Sequence, residues 1–375
     1  MMKHKSFFAC LLYIIIYLTL TEVCSAKENL LGHISYCSGD VQVKRAKETI
    51  WWKAELDMPV YFGVSIRTGE NSEGTISYID RSLLRIHSKS HITLNTIISP
   101  AEKKNSVLLF FGRIWNKVSR KVLRGKAFEV QTPTVVCGVR GTEFWTASYE
   151  DGTMIVRVDS GEVDVDNETN RSTLSSNQGA QLSFDAKEIK TESDFRPEWE
   201  RAQRSGRENL FADGKRYGGF VHSEIYRRRD HLRSLLDKAN NLSEEKERCL
   251  SIAKEAKRRG DEIEYESSIA KAQKMNEEIK ELNRRIAFYG RRLECHFGLF
   301  SHYGYLAKHP EFSKRFHGKE FILKELDNIE MIRAEFNAMI EEGMRMSLED
   351  MEDLMDEMRK GIEEFKRKKG DKGSF

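Results

Sequence analysis

The sequence has few prolines and little net charge. Five prolines in 375 residues leave room for long uninterrupted helices, because a proline inside a helix breaks it. The 62 basic and 59 acidic side chains give a formal net charge of only +3, so no concentrated basic face is expected and we predict no nucleic-acid partner. The hydrophobic fraction of 39% and the charged fraction of 32% predict elongated parts with much solvated surface.

The usual motifs of catalysis and metal binding are also missing. The chain has no Gly-x-Ser-x-Gly nucleophile turn, no Gly-x-x-x-x-Gly-Lys phosphate loop, no His-Glu-x-x-His pair and no Cys-x-x-Cys pair. Cys295, His296, His302, His309 and His317 cluster in sequence, but their spacing fits no standard ligand set, so we expect surface or packing roles for them. We therefore predict no catalytic, cofactor-binding or metal-ligating residue, and keep an unrecognised envelope enzyme as an alternative.

One apolar run stands at the N-terminus. It spans residues 7–20, follows Lys3 and Lys5, and leads to the small residues Ser25 and Ala26. This order is typical of a secretory signal peptide, and the run is short for a membrane span of about 20 residues. We predict a signal peptide over residues 1–26 and an exported protein of the periplasm or cell envelope. An uncleaved anchor stays open, and a lipoprotein signal ending at Cys24 is disfavoured by the bulky residues before it.

Export makes the remaining cysteines relevant, because an oxidising compartment permits disulfides. Cys37 and Cys137 both lie in the first domain, where a bridge or two buried thiols are the alternatives. Cys249 and Cys295 lie in a helical region that we expect to turn at Gly260. Position 249 would then face about position 271 on the second helix. At about 1.5 Å per residue, Cys295 would lie about 36 Å further along the axis of that helix. A disulfide requires Cα atoms within about 7 Å, so we predict no bridge between these two.

Residues 27–190 alternate with period two between glycine-containing turns. Met154, Val156 and Val158 give three apolar positions between the turn signals Asp151-Gly152 and Ser160-Gly161. Such alternation is typical of antiparallel strands with one buried face. Many short strands with tight turns predict an all-β sandwich or roll.

The pattern changes near residue 190 to a charged, helical one. The fold class expected is therefore α+β with segregated domains, an all-β sandwich or roll followed by an antiparallel α-helical coiled coil or bundle. Each apolar helix seam needs a partner, within the chain or on a second copy, so a homo-oligomer through the helical half stays open. The predicted segments are a linker at 191–220, a long antiparallel hairpin at 221–303, a connector at 304–318, a helix pair at 319–368 and a flexible tail at 369–375.

Several runs in the β half stand in a familiar order. These are Thr132-Pro133-Thr134, Val139-Arg140-Gly141-Thr142-Glu143-Phe144, Asp151-Gly152-Thr153 and Ser160-Gly161-Glu162-Val163. In this order they resemble the FecR domain, over about residues 32–185. The resemblance implies a periplasmic all-β module, which in the family's namesake senses a loaded outer-membrane transporter and signals to a sigma factor. The namesakes carry a cytoplasmic anti-sigma segment before a membrane span. Only a handful of residues precede the apolar run here, so we expect the module and its location to carry over, but not the signalling output.

Two groups of residues are candidates for function or structure. Because neighbours on a strand point to opposite faces, Trp51 and Trp52 cannot both enter a core. With Trp115, and with Trp145 as a further tryptophan, they form the candidate interaction surface. The family motif residues are expected to be structural, with an anion-binding nest at Arg140-Gly141-Thr142 as the alternative. These motif residues are Thr132, Pro133, Arg140, Gly141, Thr142, Phe144 and Gly161.

The function predicted from these observations is that of a non-catalytic exported envelope protein. Its FecR-like module would bind an envelope protein or a cell-wall ligand, and its helical half would extend or oligomerise it. The alternative is a component of FecR-type transmembrane signalling that acts through a separate membrane partner.

Overall fold

A computed structural model describes residues 30–339 except for 47, 99–102, 120–127 and 140. The predicted signal peptide at 1–26, the motif residue Arg140, the second helix of the C-terminal pair and the tail at 369–375 lie outside the described residues. Contacts divide the chain into two compact units. The first unit includes the chain up to Tyr217 together with Tyr305–Lys319, and the second includes Gly218–Gly304 and the chain from Glu320 onward.

The first unit contains seventeen strands among the described residues, and they form two nine-stranded sheets that share one strand. The strands are β1 (Leu30–Ser38), β2 (Val41–Lys44), β3 (Trp52–Lys53), β4 (Pro59–Tyr61), β5 (Ser65–Thr68), β6 (Glu73–Tyr78), β7 (Leu83–Ile86), β8 (His91–Ile98), β9 (Lys103–Lys117), β10 (Phe128–Gln131), β11 (Val136–Val139), β12 (Glu143–Ser148), β13 (Met154–Ser160), β14 (Glu162–Asp166), β15 (Arg171–Ser175), β16 (Gln178–Leu182) and β17 (Thr191–Ser193). Sheet A has the order β4-β1-β6-β7-β9-β12-β13-β16-β17. Sheet B has the order β3-β2-β5-β8-β9-β10-β11-β14-β15.

Strand β9 passes from sheet B to sheet A at Gly112. Its first part pairs with β8 and β10, and its last part pairs with β7 and β12. Gly112 has a φ of +104°, and a Cβ added there would lie 2.2 Å from Oγ of Ser90. Only glycine fits this crossing, because the backbone conformation and the close approach both exclude a side chain.

The core lies between the two sheets and consists of the inward side chains of both. Leu84 and Phe144 from sheet A and Val130 and Val163 from sheet B are completely buried in it. The alternation read from the sequence corresponds to one buried face in most strands, although β10 is buried on both faces. The predicted α+β class with a segregated β sandwich is confirmed.

Residues 191–220, treated as a linker in the sequence analysis, instead form β17, helix α1 (Trp199–Ala212) and the beginning of helix α2 (Gly214–Arg259). Helix α1 is fixed to the turn after β12. The hydroxyl of Tyr149 donates to the carbonyl of Trp199 at 3.1 Å, and Nε of Arg207 donates to the buried carboxylate of Glu150 at 3.0 Å. The segment was missed because its polar composition reads as a linker, whereas long-range ion pairs and hydrogen bonds hold it on the sheet.

The long helices meet at the turn that the sequence places at Gly260. Helix α2 ends at Arg259, and helix α3 (Glu262–Lys308) follows. Gly260 has a φ of +76°, and the N–H of Asp261 donates to the carbonyl of Ala256 at 2.9 Å, which closes the helix end. The carboxylate of Asp261 then accepts from the N–H of Glu264 at 3.0 Å and caps the start of α3.

Two predicted boundaries differ from the structure. Helix α2 begins at Gly214 rather than near residue 221, and α3 continues to Lys308, which shortens the predicted connector. The connector contains the short helix α4 (Pro310–Ser313), in which Pro310 occupies the first turn. Residues 319–339 are helical again. None of the described helices combines the length and the apolar composition that crossing a bilayer requires.

The helix seams of the second unit are buried within the chain itself. Leu232 and Leu235 of α2, Leu293 of α3 and Ile329 of the helix at 319–339 are all at most 2% exposed. Cys37, Cys137, Cys249 and Cys295 are free thiols. Burial raises the pKa of the Cys137 and Cys295 thiols, so both are protonated at neutral pH and poor nucleophiles.

Candidate functional site

A row of tryptophans and arginines crosses the outer face of sheet A. Arg85 of β7 is the cross-strand partner of Trp115 on β9, which in turn pairs with Trp145 on β12, and Trp145 pairs with Arg157 on β13. These side chains point outward because their neighbours Ile114 and Phe144 enter the core. We call Arg85, Arg113, Trp115, Trp145, Arg157, Asp159 and Trp199 the tryptophan surface.

Asp159 holds the two central indoles of this surface. Its Oδ2 accepts a hydrogen bond from Nε1 of Trp145 at 2.9 Å and from Nε1 of Trp115 at 3.3 Å. Its Oδ1 forms an ion pair with Nη1 of Arg157 at 3.2 Å. One carboxylate therefore fixes the orientation of both indole rings and of a guanidinium two residues away on its own strand, β13.

Guanidinium groups stack on the same rings. Arg85 lies 5.4 Å from the ring centre of Trp115, and Arg113 lies 5.7 Å from Trp145 and 5.3 Å from Trp199. The centres of Trp115 and Trp145 are 6.5 Å apart, and those of Trp145 and Trp199 are 5.7 Å apart. The three indoles and two cations thus form one continuous aromatic and cationic cluster with favourable cation–π geometry.

His87 lies beneath the cluster, with its ring centre 5.0 Å from that of Trp145 and its Nδ1 3.7 Å from a carboxylate oxygen of Glu73. Burial, and then the nearby charges of Arg113 and Arg85, lower the pKa of His87 from 6.5 to about 4. The imidazole is therefore neutral at pH 7, and the net charge of the cluster comes from its arginines and carboxylates.

The structure separates the three tryptophans that the sequence grouped. Trp115 lies on sheet A, whereas Trp51 and Trp52 lie at the β3 end of sheet B. Arg67 stacks on Trp51 at 4.3 Å, so this ring is partly covered. Trp52 is 51% exposed, and its Nε1 donates to a carboxylate oxygen of Glu48 at 3.0 Å. Trp52 is thus an exposed tryptophan away from the tryptophan surface, whose own indoles are half-buried.

The motif residues from Thr132 to Gly161 lie in turns and in the core, apart from Arg140, which is outside the described residues. Oγ1 of Thr132 accepts from the N–H of Val135 at 3.0 Å and so forms a turn with Pro133. Oγ1 of Thr142 donates to the carbonyl of Glu162 at 2.9 Å, and Phe144 is completely buried. Gly141 and Gly161 have φ values of +61° and +91°, which glycine adopts without strain.

Several members of the tryptophan surface were not found from the sequence. Asp159, Arg113 and Trp199 carried no local signal, since each meets its partners only through pairings distant in the chain. Trp115 and Trp145, by contrast, are both in the candidate interaction surface that the sequence predicts. In the part of the chain that the structure describes, no group of three or more histidine, cysteine, aspartate or glutamate side chains is placed to hold a metal ion.

Residues 64–164 match the family model described as FecR protein. The match lies within the sandwich and contains every residue of the tryptophan surface except Trp199. Two crystal structures, each of "a putative anti-sigma factor from Parabacteroides distasonis ATCC 8503", at 2.50 Å and 1.65 Å resolution, are 21% identical with a TM-score of 0.31. The similarity covers 35% of this chain and 59% of that one. A search of curated proteins finds no match.

Proposed function

We infer that this protein, whose residues 64–164 form a FecR domain, is a non-catalytic regulator that acts by binding another protein at the cell envelope. The observation that carries this proposal is the tryptophan surface, which lies almost entirely within the family match. Its composition is that of a binding hot spot, since tryptophan and arginine dominate the residues whose removal weakens protein–protein complexes most.

The fixed geometry of the surface supports the same function. Asp159 restrains Trp115 and Trp145, and Arg113 is stacked between two rings, so few side-chain rotamers remain to be lost on binding. A surface ordered in advance binds more tightly for the same buried area, because less conformational entropy is lost. The side chains of Arg85 and Arg157 are still 45% and 33% exposed, which leaves guanidinium edges open for the carbonyls and carboxylates of a partner.

Export is part of this proposal. The basic, apolar and small-residue order of residues 1–26 supports a secretory signal. Sequencing the N-terminus of the protein recovered from the envelope fraction tests it. A mature chain that begins at Lys27 is the expected result, and an intact N-terminus on a membrane-bound protein would favour the uncleaved anchor instead.

The experiment for the binding function is crosslinking in cells followed by purification of the full-length chain. Trp145→Ala is the test variant, and Trp52→Ala is its matched control, because Trp52 is an exposed tryptophan of the same unit on the other sheet. We expect one discrete envelope protein to be captured by the natural chain and by Trp52→Ala, but at least about tenfold less by Trp145→Ala. Equal capture by all three chains would exclude the tryptophan surface as the binding site.

A second candidate is a component of FecR-type signalling that acts through a separate membrane protein, and the family match favours it. This candidate predicts two further results in the same experiment. The captured partner would then be an integral membrane protein, and Trp145→Ala would also abolish the transcriptional response to the signal. A captured partner without any transcriptional effect would support the binding function and exclude the signalling one.

A further inference from the structure

Sheet B ends in a strand that lacks the usual protection of sheet edges. Exposed edges are normally shortened, bulged, or interrupted by proline or lysine, because unpaired backbone groups recruit other strands. Among the outer strands of the described residues, β4 contains Pro59, β3 has only two residues and one of them is Lys53, and β17 has three. Strand β15 has five residues in unbroken register with β14 and contains neither proline nor lysine, and its one charged residue, Arg171, stands at its first position, where it is paired with Asp166.

One contact at the end of β15 shows which of its residues direct their backbone N–H and C=O groups toward β14 and which direct them toward the open side. The N–H of Ser175 donates to Oε1 of Gln178 at 2.8 Å, so it points away from β14. In an antiparallel pair, alternate residues face the partner strand and the open side. The backbone N–H and C=O groups of Thr173 and Arg171 therefore also point to the open side, whereas Ser172 and Leu174 pair with β14.

A row of carboxylates lies on β14, one strand in from this open edge. Glu162, Asp164 and Asp166 alternate on β14 with Val163 and Val165, which are completely buried, so the three carboxylates share the outer face. Asp164 accepts from the hydroxyl of Thr173 at 2.7 Å, and Asp166 pairs with Arg171 at 3.0 Å. The outer face next to the open edge is thus acidic, with Glu162 exposed at its end.

We propose that β15 is a docking edge for an extended strand of a protein partner that carries lysine or arginine at alternate positions. Backbone hydrogen bonds to Thr173 and Arg171 would provide affinity, and the carboxylate row would select the basic strand. A second copy of this chain fits less well, because its β15 offers only Arg171 and brings its own three carboxylates. The proposal is independent of the tryptophan surface, which lies on the other sheet.

The geometry is tested by two proline substitutions in the full-length chain. Thr173→Pro removes an N–H that points to the open side, whereas Ser172→Pro removes one that bonds to β14. We expect Thr173→Pro to unfold within a few degrees of the natural chain and Ser172→Pro to unfold clearly earlier. The opposite order of midpoints would show that Ser172, and not Thr173, directs its N–H to the open side, and would overturn the proposal.

Docking is tested by fluorescence anisotropy with labelled eight-residue peptides, one of alternating lysine and valine and one of alternating glutamate and valine. We expect the lysine peptide to bind the natural chain, Thr173→Pro to weaken it at least about tenfold, and Glu162→Gln to reduce its preference over the glutamate peptide. Binding that Thr173→Pro leaves unchanged, equal binding of both peptides, or no binding of either overturns the proposal. Sedimentation provides the remaining control, because a dimer that Thr173→Pro converts to a monomer would identify a second copy as the occupant.

Discussion

The sandwich and the part of the helical unit next to Gly260 bury their interiors with different residues. The sandwich core is made of large side chains such as Ile34, Ile66 and Leu84, all at most 2% exposed. The buried seam near the helical turn is made largely of small ones, with Ala253 and Ala256 at most 2% exposed. Since the stabilisation from burial scales with apolar area, each buried residue of the sandwich core contributes more than one of the alanines near this turn. The difference teaches that the tryptophan surface lies on a sheet supported by a core of large apolar side chains.

The largest effect expected from this contrast is that of Leu84→Ala. Removing this completely buried side chain should lower the free energy of unfolding of the sandwich by about 2–5 kcal/mol, because it leaves a cavity between the sheets. Hydrogen exchange measured peptide by peptide would show whether the loss of stability is confined to the sandwich. Leu323→Ala, at a 36% exposed position of the helical unit, should cost well under about 1 kcal/mol. Similar losses for both variants would show that Leu84 is not closely packed between the sheets.

Ala256→Leu tests the helical side of the same contrast. A larger side chain at this completely buried position should cost about 1–3 kcal/mol, because it forces the two helix backbones apart next to the turn. Exchange should speed up in peptides on both sides of Gly260, while peptides of the sandwich stay unchanged. Ile252→Ala, at a position 47% exposed, is the control that should change little. A tolerated leucine at 256 would mean that the seam is not closely packed there.

Asp159→Ala should have a smaller effect on stability, of about 1–2 kcal/mol, because the indoles of Trp115 and Trp145 and the guanidinium of Arg157 lose a shared acceptor but keep access to water. The two indole N–H resonances should shift together in the NMR spectrum. Asp164→Ala removes a carboxylate of the same unit whose described partner is a threonine, so these resonances should not move. A shift of only one of them would show that Asp159 does not restrain both rings.

The effect that is smallest at neutral pH concerns His87, because it appears only in acid. Its pKa of about 4 in the folded chain lies below the usual 6.5, so the unfolded chain binds the extra proton between these values. The free energy of unfolding should therefore be at its full value above about pH 6.5 and decline as the pH falls toward about 4. In His87→Gln this part of the pH dependence should be weaker in a series of denaturant titrations. An unchanged profile would assign the decline to carboxylates instead.

Local signals predicted much of the fold, and distant pairings account for what they missed. The turns at Asp151-Gly152, Ser160-Gly161 and Gly260 lie where the sequence places them, because glycine and its neighbours determine a turn by themselves. The pairing of Trp115 with Trp145 could not be predicted, since it depends on the register between two strands thirty residues apart. The segment 191–220 was wrongly taken as a linker for the same reason. Its contacts with Tyr149 and Glu150 give no periodic pattern in the sequence.

The crossing of β9 at Gly112 has a consequence for how the chain folds. This strand pairs with β7 and β8, which precede it, and with β10 and β12, which follow it, so it is completed only when residues up to Ser148 are present. Neither sheet can mature as an independent folding unit, and contacts of long sequence separation must form together. Such topologies fold slowly, in milliseconds to seconds, and expose unpaired strand edges meanwhile. In a chain exported as proposed, this slow pairing would keep the polypeptide unfolded long enough to be translocated across the membrane.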